Sequence, residues 1–402
     1  MASFTTPVTT APIYHQSSRI AELEISVVLT AEEIRDEWLD LQNTGIATPY
    51  QSFDWVKTWQ TSVGEPAGED IRIITVRDES GSLVAILPVS ICRSWGATVA
   101  KWVSDSLINY GMPVMGLEFA RIASDNPFQF LRLVGEVLEG VDALHLGKQP
   151  ASWDGVENPF ADTFTDIGTN RTYLTNLPAD FDSLYHEKRS ARTRRCNRRR
   201  EAKLMSFGDI AFGLPQTSEE AAEVLDTLFS FVQHRLGKQG IKDPYGEKGR
   251  TFYAALAQLP TDSPLQLRPY FMKTGDDIVA INMGADFKDR FCCLVCSIID
   301  GSQAAYSPGD LALSKTIEAC CSRELEIFDL SAGDSPYKFH WADETVPLAD
   351  SVFPATATGY GYAALMLPQL STKRVIKNSE WLWGIASRAR KIAAPMRVGL
   401  SA

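Results

Sequence analysis

Read for hydrophobic periodicity alone, the chain alternates between two patterns from about Leu23 onward. Ala31 to Gln42 sets apolar residues at helical spacing among acids, with Thr30 placed to cap the helix. Phe53 to Thr61 is a second helix, with Trp55 and Trp59 four apart on one face. Ile71 to Arg77 and Leu83 to Cys92 read as two strands joined by the turn Asp78-Glu-Ser-Gly81, a hairpin. Phe128 to Leu138 is again helical, and Ala143 to Leu146 is a short strand.

The plan then repeats. Phe181 to Leu204 reads as one long basic helix. Ser218 to Leu236 is a second helix, with Glu219 and Glu220 in its first turn where the helix dipole favours them. Three strands follow: Leu265–Met272, Ile278–Phe287 and Phe291–Ile299. After Tyr306-Ser-Pro-Gly309 come a helix, Leu311 to Arg323, and a strand, Leu325 to Asp329. Three meandering strands, a helix and a further strand make one α+β unit, and the first half of the chain reads as an eroded copy of it.

The order predicts a tail over residues 1–22, a first α/β domain over 23–177, a second over 178–354, and a basic extension over 355–402. The tail is rich in Thr, Ser and Pro and lacks the apolar stretch of a signal peptide. No segment has the apolar length of a membrane span. The extension carries seven basic residues and one acid, Glu380, beside Trp381 and Trp383. A basic amphipathic helix of this kind either lies on an anionic membrane surface or packs back on the protein. The second is the reading preferred here.

Composition changes this picture little. The 402 residues supply two cores of ordinary size. A formal net charge of −11 excludes a surface built throughout for nucleic acid, but not a local basic patch. Seven cysteines make an odd number in a long chain, which speaks against a disulfide framework and for a reducing, cytoplasmic setting. Cys292-Cys293-Leu-Val-Cys296 invites a metal, yet no second pair or neighbouring histidine completes a site. No metal is expected.

Three features carry candidate chemistry. At Ser307-Pro308-Gly309 a proline opens a helix and a glycine lets backbone approach a ligand, so the free N–H groups of the helix start would meet phosphate. Past the next strand, Asp329, Asp334, Tyr337, Lys338 and His340 cluster where α/β folds build sites. The run Lys188 to Lys203 holds nine Lys or Arg against one acid, and on a helix Arg192, Arg195, Arg199 and Lys203 share a face. That face suits the phosphates of a carrier, with a tRNA acceptor stem as the second reading and a solvated helix as the plain one.

The order Tyr306-Ser-Pro-Gly309, helix, Phe328-Asp329, Gly333-Asp334, Tyr337-Lys338 resembles the GNAT-superfamily acetyltransferases of the CelD/BcsL-like type, relatives of the FemAB peptidyltransferases. Phe53-Asp-Trp55, Leu87-Pro88 and Asn109-Tyr110-Gly111-Met-Pro113 resemble the family's first half, with Asn109 where the family has Asp. The resemblance spans most of Pro49 to Val352. It implies two tandem GNAT-like domains with mixed, mostly antiparallel sheets flanked by helices. It also implies transfer of an acyl group from acetyl-CoA or another acyl-CoA to an amine, such as an amino sugar of surface polysaccharide. The longer phosphate loop common in GNAT enzymes is replaced by Ser307-Pro308-Gly309. This keeps open an aminoacyl transfer from charged tRNA, and a non-catalytic binding role.

On this reading Ser307, Pro308, Gly309, Arg195 and Arg199 hold the donor. Asp329 or Asp334 accepts the amine proton, whose removal from an ordinary alkyl amine at neutral pH costs about 4–5 kcal/mol. Backbone N–H groups around Phe291 to Ser297 receive the oxyanion. Tyr337 protonates the leaving thiolate, and Lys338 stabilises negative charge.

Overall fold

The computed structural model describes residues 20–161 and 165–378. The predicted C-terminal residues 379–402, Trp381 and Trp383 among them, and the tail residues 1–19 lie outside these.

The first half begins with β1 (Glu24–Val28) and a capping box, in which the Glu33 carboxylate accepts from Thr30 N at 2.9 Å. Then come α1 (Arg35–Thr44), α2 (Phe53–Trp59), β2 (Asp70–Arg77), β3 (Leu83–Ser94), β4 (Ala97–Trp102) and the two-residue β5 (Val114–Met115). α3 (Leu117–Asp125), α4 (Pro127–Val137), β6 (Ala143–Pro150), a small hairpin of β7 (Ser152–Trp153) and β8 (Val156–Glu157), and β9 (Thr165–Asn176) complete it.

The second half runs α5 (Phe181–Lys188), α6 (Ala191–Leu204), β10 (Ile210–Gly213), α7 (Ser218–Lys238), α8 (Gly246–Leu256), β11 (Leu265–Thr274), β12 (Asp277–Phe287) and β13 (Arg290–Ile298). It continues with α9 (Pro308–Ser322), β14 (Ile327–Ala332), a single helical turn at Pro336–Phe339, β15 (Glu344–Pro354) and α10 (Ala357–Asn378).

All but β7 and β8 join one 13-stranded sheet, ordered β1-β2-β3-β4-β6-β15-β9-β14-β13-β12-β11-β10, with β5 on β3. Its pairs are antiparallel except two, β4–β6 and β13–β14. Each parallel pair closes the same motif: a three-stranded meander, a helical crossover, and a fourth strand beside the third. The fold is therefore the mixed α/β arrangement expected, with one plan used twice. The two copies exchange their next strands. β9, from the first half, lies against β14, and β15, from the second, lies between β6 and β9.

One expectation is corrected. The long basic helix is two helices. Arg189 is extended at the break, Ser190 Oγ accepts from Thr193 N at 3.2 Å to start α6, and the Arg189 side chain turns inward to Asp310. α7 begins at Ser218 as expected, and Thr217 caps it, its Oγ1 accepting from Glu220 N at 3.1 Å. The described part of the C-terminal extension packs back on the sheet, Tyr362, Ala363 and Met366 against Val99, Ala143 and Val352.

α9 and α7 both pack on β11–β13, and α8 packs on α7 and on α2 of the first half. The strand β13 thus lies against α7 and α9, its Phe291 and Cys292 fully buried.

Candidate active site

The site begins where a strand pair fails. β13 and β14 are in register only over Arg290–Cys292 against Ile327–Asp329. Beyond that they diverge, and backbone that would be paired in a sheet is left facing a cleft. Two irregularities open it. β13 slips against β12 between Met283 and Gly284, and β14 slips against β9 between Asp329 and Ala332, where Ser331 takes a φ of 70°. A non-glycine residue in that conformation is strained, and its surroundings hold it. Ser331 N donates to Asp329 Oδ1 at 2.7 Å, and Lys338 Nζ donates to Ser331 O at 3.1 Å and Ala332 O at 2.8 Å.

The cleft has a volume of about 550 Å³. β13 supplies Cys293 to Ile298 as one wall, and β14 with its following loop supplies Leu330 to Ser335, Tyr337 and Lys338 as the other. Gly309 and Asp310 of α9 close one end. Ser297 Oγ is buried in this wall without a hydrogen-bond partner, as a group waiting for a ligand would be. The carbonyls of Cys293 and Cys296 accept from Asn109 Nδ2 at 3.4 Å and Arg235 Nη1 at 3.1 Å, so both halves of the chain reach the same strand.

The residues singled out from sequence divide into three groups. Asp334, Tyr337, Lys338 and Gly309 line the cleft, and Ser307 lines an adjoining pocket that shares Asp310 and Tyr337 with it. Asp329 and Pro308 are buried and line neither. Arg195 and Arg199 stand on the exposed face of α6, away from both cavities. From that helix and the break before it, Arg189, Thr193 and Arg200 line the adjoining pocket instead.

Electrostatics separates the candidates further. Burial raises the Asp329 carboxyl above its ordinary range, against the opposing pull of Arg290. Arg290 itself is 5% exposed, donates to Asp154 Oδ1 at 2.7 Å and lies 4.1 Å over the Trp153 ring. Asp329 therefore belongs to a polar core behind the cleft. Asp334 accepts a hydrogen bond from Tyr173 Oη, whose pKa is pushed up to about 12 by burial and by that carboxylate. Tyr337 is 38% exposed overall, but its hydroxyl end sits in dense surroundings that raise its pKa, so it keeps its proton at neutral pH. Burial lowers the Lys338 ammonium, although two carbonyls hold it. Cys296 is lowered by the hydrogen bond from Cys293, whose own pKa is raised.

Sequence reasoning named the Phe291–Ser297 strand for its backbone N–H groups, but missed the Ser297 hydroxyl, Arg235 and Tyr245 as cleft residues and Asn109 at the adjoining opening. Strand alternation would have brought out Ser297. Tyr245 and Arg235 come from the α7–α8 region and reach the site only through packing. A smaller opening of about 210 Å³, lined by Asn109, Lys148, Tyr245, Leu294 and Gly333, adjoins the cleft from the first half.

Residues 191–339, from α6 to the turn after β14, match the family described as Acetyltransferase (GNAT) domain. This stretch carries the GNAT fold. It contains the diverging strands, α9 and the cleft. No curated protein matches the chain. Among solved structures, FemX aligns over 82% of this chain and 97% of its own at 10% identity and a TM-score of 0.55. The C-terminal domain of a putative lysylphosphatidylglycerol synthetase from Agrobacterium fabrum aligns over 84% and 95% at 10% identity and a TM-score of 0.49. A tandem GNAT protein from the clavulanic acid biosynthesis pathway aligns over 83% and 99% at 12% identity and a TM-score of 0.46. The FemX likeness extends the shared fold over both halves. Among the described residues no three His, Cys, Asp or Glu side chains gather as a metal site, and no helix is long and apolar enough to cross a membrane.

Proposed function

We propose that the protein transfers an acyl group from a phosphopantetheine thioester, as in acetyl-CoA, to an amine, with the cleft between β13 and β14 as the reaction site. The observation that carries this reading is the divergence of β13 from β14 inside the GNAT domain, with an unpartnered Ser297 hydroxyl in one wall and α9 starting at its end. The domain limits of this reading are 23–177 and 178–354, and the repeated strand plan supports them.

The amine enters through the smaller opening between the halves and attacks the thioester carbonyl. A C–N bond forms, the C–S bond breaks, and one proton passes from the amine to the departing thiolate. Alignment of the two reactants supplies much of the rate. Unpaired N–H groups on the β13 side of the cleft receive the oxyanion. Asp334 accepts the amine proton, directly or through water, and Tyr337 returns one to the thiolate. Lys338 acts by holding the Ser331–Ala332 bulge rather than by touching the reacting atoms, and Asp329 fixes the same bulge from behind. The acceptor class we favour is an amino sugar of surface polysaccharide, handled in the cytoplasm. The FemX likeness in fold and the arginines of α6 support a second reading, aminoacyl transfer from charged tRNA.

The test is calorimetric titration with acetyl-CoA, repeated on Gly309→Asp, and thiol release with a panel of amino sugars. Wild type should bind. The variant should not, because its Cβ meets Ile298 Cγ2 at 2.9 Å and its carboxylate faces the donor. Tyr337→Phe should bind normally and lower kcat by about 10²-fold. Failure of wild type to bind or turn over a thioester overturns this reading in favour of tRNA-dependent transfer or a non-catalytic role.

A further inference from the structure

Four arginines of α6, Arg192, Arg195, Arg198 and Arg199, are exposed and make no side-chain ion pair or hydrogen bond among the described residues. Elsewhere several exposed cations find acids: Arg35 with Glu32, Arg121 with Glu118, Arg132 with Glu136. Near α6 the acids are already taken. Glu201 pairs with Lys315 at 3.5 Å, and Asp310 accepts from Arg189 and, at 3.1 Å, from Asn197. The fold thus withholds counter-charges from this face.

Beside it lies the pocket that adjoins the cleft. Its lining includes Arg189, Ser190, Thr193, Arg200, Ser307 and Tyr337. Arg189 is 5% exposed and is fixed by Asp310 and by the Trp341 ring 5.2 Å away, yet its Nε has no partner. A buried guanidinium with a free donor, flanked by a second arginine and two hydroxyls, is built for a phosphate oxygen. Asp310 and Tyr337 line both cavities, so a chain anchored by its phosphate here leads directly into the cleft.

We infer that the acyl donor is presented by an acidic carrier protein, whose phosphopantetheine phosphate sits among Arg189, Arg200, Ser190 and Thr193 while the arginine face of α6 docks the protein surface. This rests on the acyltransferase reading above and names its donor. Coenzyme A alone would use the pocket and leave the four arginines unmatched. A long polyanion fits poorly. The run Lys188 to Lys203 contributes +8, from nine basic residues and one acid, so the remainder of the chain carries −19. Phosphates extending beyond one helix of about 20 Å would meet that repulsion. Exposed apolar side chains also border the face, Met205 at 57% and Phe207 at 40% just after α6, and Phe339 at 55% near the pocket. Arginine mixed with exposed aromatic and Met side chains is the composition of a protein-docking surface.

The experiment compares acyl transfer from two donors, an acetylated phosphopantetheine-bearing acyl carrier protein and acetyl-CoA, for wild type, Arg195→Glu/Arg199→Glu and Arg200→Ala. Circular dichroism checks that each variant folds. Wild type should prefer the carrier-protein donor, and the double charge reversal should cut that preference by about tenfold or more, with a weaker salt dependence. Arg200→Ala, at the shared phosphate, should raise KM for both donors. Equal preference in wild type, or a preference unmoved by the charge reversal, overturns the inference. So does arginine-dependent binding of bulk tRNA or anionic phospholipid vesicles that exceeds binding of the carrier protein. Turnover of neither thioester would instead overturn the acyltransferase reading itself.

Discussion

Asp329 shows how a residue in the right sequence motif is placed for a different task. It follows Phe328 in a buried strand, so alternation and the parallel pairing with Cys292 put its carboxylate among Cys292 Sγ, at 4.0 Å, and Ser331 N rather than in the cleft. Burial raises its pKa, which means that the folded protein favours the neutral form more than the unfolded chain does. A raised carboxyl contributes stability that is fully present below the unfolded value of about 3.9 and is lost as pH rises through the folded value. Asp329→Asn stays neutral and keeps an acceptor for Ser331 N. Its Tm relative to wild type should therefore climb as pH is raised from about 4 and level off once Asp329 is ionised in the native state. Thermal melts of both proteins across that range decide the matter. A Tm difference that moves in wild type's favour with rising pH would show that Arg290 outweighs burial.

At the scale of elements, the break between α5 and α6 does more than interrupt a basic run. If the helix continued, Arg189 would stay on its surface. Ser190 instead caps α6 through Thr193 N, Arg189 becomes extended, and its side chain enters the phosphate pocket. Ser190→Ala should cost about 1 kcal/mol in chemical denaturation, the usual loss of an N-cap, and should weaken acetyl-CoA binding because the same turn aims Arg189. A stability loss with donor affinity intact would separate the cap from the pocket. Most of the second half was legible in the sequence because its strands alternate cleanly and Ser307-Pro308-Gly309 opens a helix at the expected place. β9 and β15 were not. β9 reads Thr-Asp-Ile-Gly-Thr-Asn-Arg-Thr and β15 carries Pro347 and two acids, Glu344 and Asp350, so neither shows the apolar alternation of a core strand. Their place is fixed by partners on both sides, a long-range condition that local pattern does not carry. The candidate site divided in the same way. Asp334, Tyr337 and Lys338 follow from a loop after a strand, whereas Arg189 depends on a helix break and Arg235 on a distant helix.

At the scale of the whole molecule, the exchange of β9 and β15 turns two copies of one plan into a single mechanical unit. Neither half closes its own sheet. Without β15, β6 loses its partner over Ala143–Pro150, and without β9, β14 loses the strand that positions the Asp329–Ala332 slip. The cleft is also braced across the halves, since Asn109 reaches Cys293 O while its Nδ2 also donates to Tyr50 Oη at 2.8 Å. Independent domains would be joined by a small, polar interface and would melt separately. Here, unfolding either half would expose the sheet edge of the other. The chain should accordingly show one calorimetric transition, with probes from the two halves coincident: indole fluorescence from Trp38, Trp55 and Trp102, and hydrogen exchange in β12 and β13. Two resolved transitions, or exchange in β12 and β13 that survives melting of the first half, would mean that the strand exchange joins the copies without coupling them. The same coupling bears on function. A fold in which the first half lines the opening beside the cleft and supplies a strand beside β14 cannot lose that half and keep its site.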